Sequence, residues 1–207
     1  MSKNRTLVIA LALAAAVLAV VVAVGLTTRH SSSGSTGSPQ AASTTALPPG
    51  HPTVNPTGAS SADLSKMIAA LKAKLAKNPK DINSLESLGT AYFMSEQYDS
   101  AQQQFDRALK LRPGDPYATT QLAMVYHAKG DDTKAVELIN GVLAKDANYQ
   151  EAHYDLAIIY FSQQNLDAAK AEWKKTAAID PTTKIGQAAQ NFVDLMEGRT
   201  PKPTTTP

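Results

Sequence analysis

Three short segments decide the fold: LGTAY at residues 88–92, LAMVY at residues 122–126 and LAIIY at residues 156–160. Each segment begins 34 residues after the one before it. A fixed period of this length predicts a stacked array of helix pairs, and such arrays usually hold other proteins. The same offset relates three further columns, which are Ala101, Ala135 and Ala169, then Phe105, Ile139 and Trp173, then Ala108, Val142 and Thr176.

Each copy of the repeat predicts two helices joined by a tight turn. The Leu and Tyr of each quoted segment lie four residues apart, so they share one face of the first helix. The residue after the Leu is Gly89, Ala123 or Ala157, and its small size lets the two helices cross closely. Gly130 permits a positive φ at the turn of the second copy. The predicted pairs are 82–94 with 99–111, 116–128 with 133–145, and 150–162 with 167–179.

Two capping helices are predicted beside the repeats. Residues 60–81 carry an apolar stripe that includes Leu64, Leu71 and Leu75, and they resemble the second half of a repeat. Residues 184–198 carry a second stripe that includes Phe192. Caps are expected at both ends because an open stack exposes its last apolar face.

In these columns the chain resembles the tetratricopeptide repeat (TPR) family. Where that family often has Trp early in the first helix, this chain has Leu85, Thr119 and His153, and Ala147 stands where proline is usual. The resemblance implies an all-α fold, a helical-hairpin array (α-solenoid) with capping helices at both ends. The three TPR copies are 82–115, 116–149 and 150–183.

The resemblance also implies a binding site, because the first helices of TPR proteins line a concave groove. Carried over position by position, the groove is aromatic, aliphatic and mildly acidic, and it lacks the Lys/Asn pattern with which some members clamp a terminal carboxylate. We therefore expect an apolar or helical peptide segment as ligand. The alternative is a shallow groove partly filled by a capping helix. The candidate residues are Asn83, Glu86, Thr90, Phe93, Met94, Tyr117, Thr120, Met124, His127, Glu151, Tyr154, Ile158 and Phe161.

An apolar stretch near the N-terminus predicts a membrane anchor. Residues 7–26 are twenty in a row without a charge, enough to span a hydrocarbon core of about 30 Å. The alternative is a cleaved signal peptide. Lys3 and Arg5 precede the stretch and Arg29 alone follows it, so we expect residues 1–6 in the cytoplasm and the repeats outside it, on a single-pass cell-membrane protein. Residues 27–59, rich in Ser, Thr, Pro and Gly, predict a disordered linker, and residues 199–207 predict a disordered tail.

The composition excludes several classes of site. The chain has 207 residues and no cysteine, so disulfides and thiolate metal sites are excluded. Its formal net charge is +2, but without Lys3, Arg5, Arg29 and Lys202 it carries 16 basic against 18 acidic residues. The folded part is therefore nearly neutral, and we expect no nucleic-acid partner.

No catalytic motif is evident, and we predict that the chain is not an enzyme and takes no cofactor and no metal. It has no glycine loop for phosphate, no H-E-x-x-H and no G-x-S-x-G. His127 and His153 have no second ligand at a metal-like spacing. We interpret His153 as a packed, hydrogen-bonded core residue.

A narrower resemblance concerns layout. The half-repeat with LKAKLAKNP at residues 71–79, followed by three copies, is similar to the periplasmic TPR domains of cytochrome c biogenesis proteins, which present apocytochrome segments for haem attachment. It implies a protein or peptide partner, another membrane or envelope protein. The alternative is a structural scaffold or assembly factor of the cell envelope without a dedicated peptide ligand, acting through self-association.

Overall fold

The computed structural model describes residues 61–201. The predicted N-terminus (1–6), anchor (7–26) and linker (27–59) lie outside the described residues. Over residues 61–201 the chain forms eight α-helices and no strand. No helix in this range is both long and apolar enough to be a candidate membrane span. The helices are α1 (Ser61–Lys77), α2 (Ile82–Met94), α3 (Tyr98–Leu111), α4 (Pro116–Ala128), α5 (Asp132–Leu143), α6 (Gln150–Ser162), α7 (Leu166–Ile179) and α8 (Lys184–Met196).

Consecutive helices pack as hairpins, α2 with α3, α4 with α5 and α6 with α7. The first helices of the copies also contact one another, because α4 contacts both α2 and α6. Helix α1 packs against α2, and α8 packs against α7 and α6. The predicted all-α solenoid is therefore confirmed.

The helix bounds follow the predicted ones with small shifts. Helices α2, α4 and α6 begin and end at the predicted residues, whereas α3, α5 and α7 begin one residue earlier. The cap explains the shift in α5, because the Asp131 side chain accepts a hydrogen bond from the backbone N–H of Lys134 at 3.0 Å. Helix α5 also ends two residues before the predicted position 145. There the N–H groups of Lys145 and Asp146 both donate to the carbonyl of Val142, at 3.0 and 2.9 Å, in the turn that follows the helix.

The repeat columns form the core. The Ala101, Ala135 and Ala169 column and the Phe105 and Ile139 positions have no exposed surface, and Trp173 has 1%. A Cβ atom placed on Gly89 would lie 2.8 Å from the Phe105 ring, which confirms that a small residue is needed where α2 and α3 cross.

One turn position adopts the left-handed backbone in all three copies. Gly130 has φ of 86°, as predicted, and the residues one period away, Glu96 and Gln164, have φ of 59° and 61°. The same backbone bonds recur at the three turns, for example from the N–H of Asp131 to the carbonyl of Tyr126 at 2.9 Å. Glycine is favoured in the left-handed conformation, so Glu96 and Gln164 adopt it at a cost in free energy.

Both predicted caps bury an apolar stripe. Leu64, Leu71 and Leu75 of α1 and Phe192 of α8 are among the buried residues. The predicted disordered tail begins inside the described range, and its first residue is held in place. Arg199 bonds Asp194 through its backbone N–H at 2.8 Å and through its side chain. A salt bridge to a carboxylate on the preceding helix therefore extends the ordered region past residue 198.

Candidate functional site

The first helices of the three copies share one face, which we call the first-helix face, formed by α2, α4 and α6. Because these helices contact one another in sequence, the predicted groove residues of different copies fall on neighbouring helices. Asn83 is exposed. The partly exposed members are Thr90, Phe93, Met94, Tyr117, Met124, His127, Glu151, Tyr154, Ile158 and Phe161.

Two predicted groove residues are buried instead. Glu86 has no exposed surface and Thr120 has 1%. The Thr120 hydroxyl donates to the carbonyl of Tyr117 in its own helix at 3.0 Å. Neither side chain is therefore exposed on the first-helix face.

Several apolar members of the first-helix face also belong to the core. The Phe93 ring packs against Tyr98 with centroids 5.8 Å apart, and the Phe161 ring packs against Trp173 at 5.5 Å. Tyr154 contacts the same buried cluster as Phe161. Ile158 and Met94 are partly exposed and lie outside the buried clusters of residues 61–201. These two are the predicted apolar contacts most open to a ligand.

His127 is bonded to Asp132 of its own copy rather than pointing freely into the groove. Its Nδ1 lies 2.6 Å from Oδ1 of Asp132, and the Gln163 amide of the third copy donates to Oδ2 of Asp132 at 2.9 Å. These two bonds lower the pKa of Asp132, although burial opposes them. His127 therefore has a structural partner on α5.

His153 is a core residue, as the sequence predicted. It is 7% exposed, its Nδ1 lies 2.6 Å from Oε2 of Glu172, and its Nε2 lies 3.0 Å from the carbonyl oxygen of Ala147. Lys175 donates to the other Glu172 oxygen at 2.7 Å. The position that often holds Trp in TPR proteins thus holds a buried polar pair that joins α6 to α7.

A polar cluster lies between copies one and two. Arg112 donates to Asp115 at 2.9 Å and lies 4.0 Å from the Glu86 carboxylate. The hydroxyls of Thr90 and Tyr117 are 3.3 Å apart. Burial raises the pKa of Glu86 to about 7, and the charge of Asp115 adds to this effect while Arg112 opposes it.

A second polar cluster lies between copies two and three. Asp155 and Glu151 are four residues apart on α6, both partly exposed, and Tyr149 precedes that helix. Burial raises the pKa of Asp155 well above its usual value, and the charge of Glu151 raises it further. Burial also raises the pKa of Tyr149, as do the charges of Glu151, Asp115 and Asp155. These groups are therefore within electrostatic range of one another.

The residues predicted from the sequence did not include Arg112, Asp115, Tyr149 and Asp155. Two signals were available. The residue before each first helix is Asp81, Asp115 or Tyr149, so the third copy has a phenol where the other two have a capping carboxylate. Asp155 lies four residues after Glu151, on the same helix face. Arg112 gives no such signal, because its contact with Glu86 depends on the orientation of its side chain in the folded protein.

The described part of the chain, 61–201, contains no cluster of three or more His, Asp or Glu side chains able to hold a metal ion. The first-helix face combines partly exposed apolar side chains, such as Met94 and Ile158, with the carboxyl groups of Glu151 and Asp155.

Solved structures with the same fold include a TPR protein of Thermus thermophilus, which is 19% identical with a TM-score of 0.58 and covers 67% of this chain and 76% of that one. MamA of Desulfovibrio magneticus RS-1 is 21% identical with a TM-score of 0.50, covering 66% of this chain and 77% of that one. At this level of identity the likeness concerns the fold alone.

Curated relatives match over the repeats. Superkiller complex protein 3 of Homo sapiens is 33% identical over 88 residues, which are 42% of this chain and 6% of that protein. Superkiller protein 3 of Schizosaccharomyces pombe is 30% identical over 112 residues, which are 54% of this chain and 8% of that protein. The chain thus spans less than a tenth of the length of these relatives.

TPR domains are typically non-enzymatic modules for protein–protein interaction, and the repeat family and fold found here are of that kind. Residues 53–184, more than half of the chain, match the family described as the cytochrome c-type biogenesis protein H TPR domain. The chain belongs to this family of TPR proteins.

Proposed function

We propose that this protein binds an apolar or helical segment of another protein on its first-helix face, as a step in the biogenesis of c-type cytochromes. Membership of the cytochrome c-type biogenesis protein H TPR family supports the pathway. The proposal that the protein binds a segment of another protein depends on the residues of the first-helix face.

One observation carries the binding proposal. The first-helix face keeps Met94, Met124, Tyr154 and Ile158 partly exposed across three neighbouring helices. Met adapts to different partners, Tyr is a rigid anchor, and a row of such residues suits an amphipathic helix. Elsewhere in residues 61–201, the large apolar side chain most open to solvent is Leu111, at 38%.

We further propose that residues 7–26 hold the protein in the cell membrane with the repeats outside the cytoplasm. The apolar length and the basic residues Lys3 and Arg5 before it support this orientation. The partner is then a membrane or envelope protein, and an apocytochrome c is the candidate that the family favours.

Cross-linking in cells of the source organism tests the binding proposal. A photoreactive phenylalanine analogue at position 158 is expected to capture a protein partner, identified by mass spectrometry. The same analogue at position 111, on the second helix of copy one, is the matched control and is expected to capture nothing specific.

Substitution tests the pathway. Ile158→Glu is expected to lower the haem-stained c-type cytochromes of the cell, whereas Leu111→Glu leaves them unchanged. Capture of other copies of this chain alone, with normal cytochrome content, would instead support a scaffold of the cell envelope.

A further inference from the structure

We propose that Glu151, Asp155 and the hydroxyl of Tyr149 form an acidic subsite that takes one Lys or Arg side chain from the bound protein segment. The inference rests on the proposed function, because it names the chemistry of the ligand on the same face. We call these three residues the acidic subsite.

The first step is the placement of the two carboxyl groups. Glu151 and Asp155 are four residues apart on α6, which brings them to the same side of that helix. Both are partly exposed, so an incoming group can reach them. Like charges at this spacing destabilise a helix when neither is neutralised, and a cation between them removes that repulsion.

The second step is the unsatisfied hydroxyl of the residue that precedes the same helix. Tyr149 is 7% exposed, and its Oη has no hydrogen-bond partner within residues 61–201. Tyr149 is the N-cap residue of α6, the helix that carries Glu151 and Asp155, and the charges of both carboxyl groups contribute to the raised pKa of its hydroxyl. A buried hydroxyl is expected to have a partner, and the N–H of an ammonium or guanidinium group is a donor that its oxygen accepts.

The third step is the charge balance of the first-helix face. Its two clusters together hold the carboxyl groups of Glu86, Asp115, Glu151 and Asp155. Arg112, the basic side chain of the cluster between copies one and two, already donates to Asp115 at 2.9 Å. The side of the face near copy three therefore has an excess of acidic groups.

The ligand is an organic cation rather than a metal ion. A divalent ion needs several oxygen ligands within about 2.6 Å, and residues 61–201 contain no cluster of acidic side chains close enough for this. A Lys or Arg side chain suits the spread of the subsite, because its charged end meets the carboxyl groups while its methylene stem packs against apolar neighbours such as Tyr154.

A display library tests the inference on the full chain, purified in mild detergent. Random 16-residue peptides are selected on the wild-type protein, on Glu151→Gln/Asp155→Asn and on Asp167→Asn. Asp167 is an exposed acid at the start of α7 and serves as the charge control. We expect the wild type and Asp167→Asn to enrich apolar peptides with one central basic residue, and the double variant to enrich apolar peptides without that preference.

A thermodynamic cycle then compares one enriched peptide with an analogue in which norleucine replaces the basic residue. The dissociation constants of both peptides are measured by fluorescence anisotropy. On the wild type, replacing the basic residue by norleucine is expected to weaken binding at least about tenfold. On the double variant the two peptides should bind within about twofold of each other. Tyr149→Phe should lower the preference by a few fold and leave binding of the norleucine peptide unchanged.

The outcomes separate the two proposals. If no peptide is enriched, the proposed function fails and the subsite fails with it. If apolar peptides are enriched without a basic residue, or if the basic preference survives in the double variant, peptide binding stands and the acidic subsite is overturned. Equal melting temperatures of the variants show that loss of folding is not the cause.

Discussion

At the scale of single residues, Glu86 combines a position on the first-helix face with complete burial. Its pKa is raised from an ordinary value of 4.5 to about 7, mainly because burial disfavours the ionised carboxylate. Between these two pH values the folded protein keeps a proton that the unfolded chain has lost. The stability from this group is therefore fully present below about pH 4.5 and is lost as the pH rises through about 7.

We expect Glu86→Gln to raise the free energy of unfolding above pH 7 by on the order of 1–3 kcal/mol, with little effect below pH 4.5. Urea denaturation at pH 4.5 and pH 8 measures the difference between variant and wild type. Glu137→Gln, at a largely exposed side chain, is the control and should change stability little at either pH. A variant effect of the same size at both pH values would show that titration of Glu86 is not its cause.

His153 and Glu172 form a buried pair whose loss should be costly. His153→Ala leaves the Glu172 carboxylate without its partner on α6, and removal of one partner from a buried pair typically costs about 3 kcal/mol or more. His127→Ala is the matched comparison, because its pair with Asp132 is more exposed and should cost about 1 kcal/mol or less. Urea unfolding of the two variants at pH 7 measures both costs, and equal losses would argue against the pairing as the source of stability.

At the scale of helices, the sequence predicted the first helices to the residue, because the Leu, small-residue and Tyr columns recur in them at a fixed period. Helix α5 ends two residues before the predicted position 145, a difference that the repeat columns do not signal. The candidate site was less predictable. The repeat alignment and the helix spacing give signals for Tyr149 and Asp155. The burial of Glu86 depends on tertiary packing, which the sequence of one helix does not reveal.

The turn between the two helices of a copy offers a test on backbone conformation. Glu96 and Gln164 have φ near +60°, where a side chain costs about 1–2 kcal/mol, and glycine recovers part of this while making the unfolded chain more flexible. We expect Glu96→Gly and Gln164→Gly each to stabilise the fold by about 0.5–1 kcal/mol. Gly130→Ala should destabilise it by about 1 kcal/mol, since φ there is 86°. Thermal unfolding measures all three, and destabilisation by the two glycine substitutions would contradict the argument.

At the scale of the whole molecule, the protein is a linear stack in which each helix packs against its neighbours. Within residues 61–201 each copy packs mainly on the helices beside it, so local stability depends on the next copy or cap. Helix α8 supplies the last interface, where the Phe192 ring stacks on Trp173 with centroids 4.6 Å apart and planes 17° apart. Trp173 is 1% exposed because α8 covers it together with α6 and α7.

Removal of residues 184–207 should therefore weaken one end of the molecule more than the other. We expect amide hydrogen exchange to speed up in α6 and α7, while α2 and α3, which do not contact α8, keep most of their protection. Phe192→Ala should lower the stability of α6 and α7 by about 3–5 kcal/mol, a smaller effect than removing the whole segment. Leu64→Ala in α1 should instead weaken the end of the molecule that contains α2. A uniform loss of protection over residues 61–201 would mean that the three copies unfold as one cooperative unit. In that case, ligand contacts on copy three would influence the stability of copy one as strongly as that of their own copy.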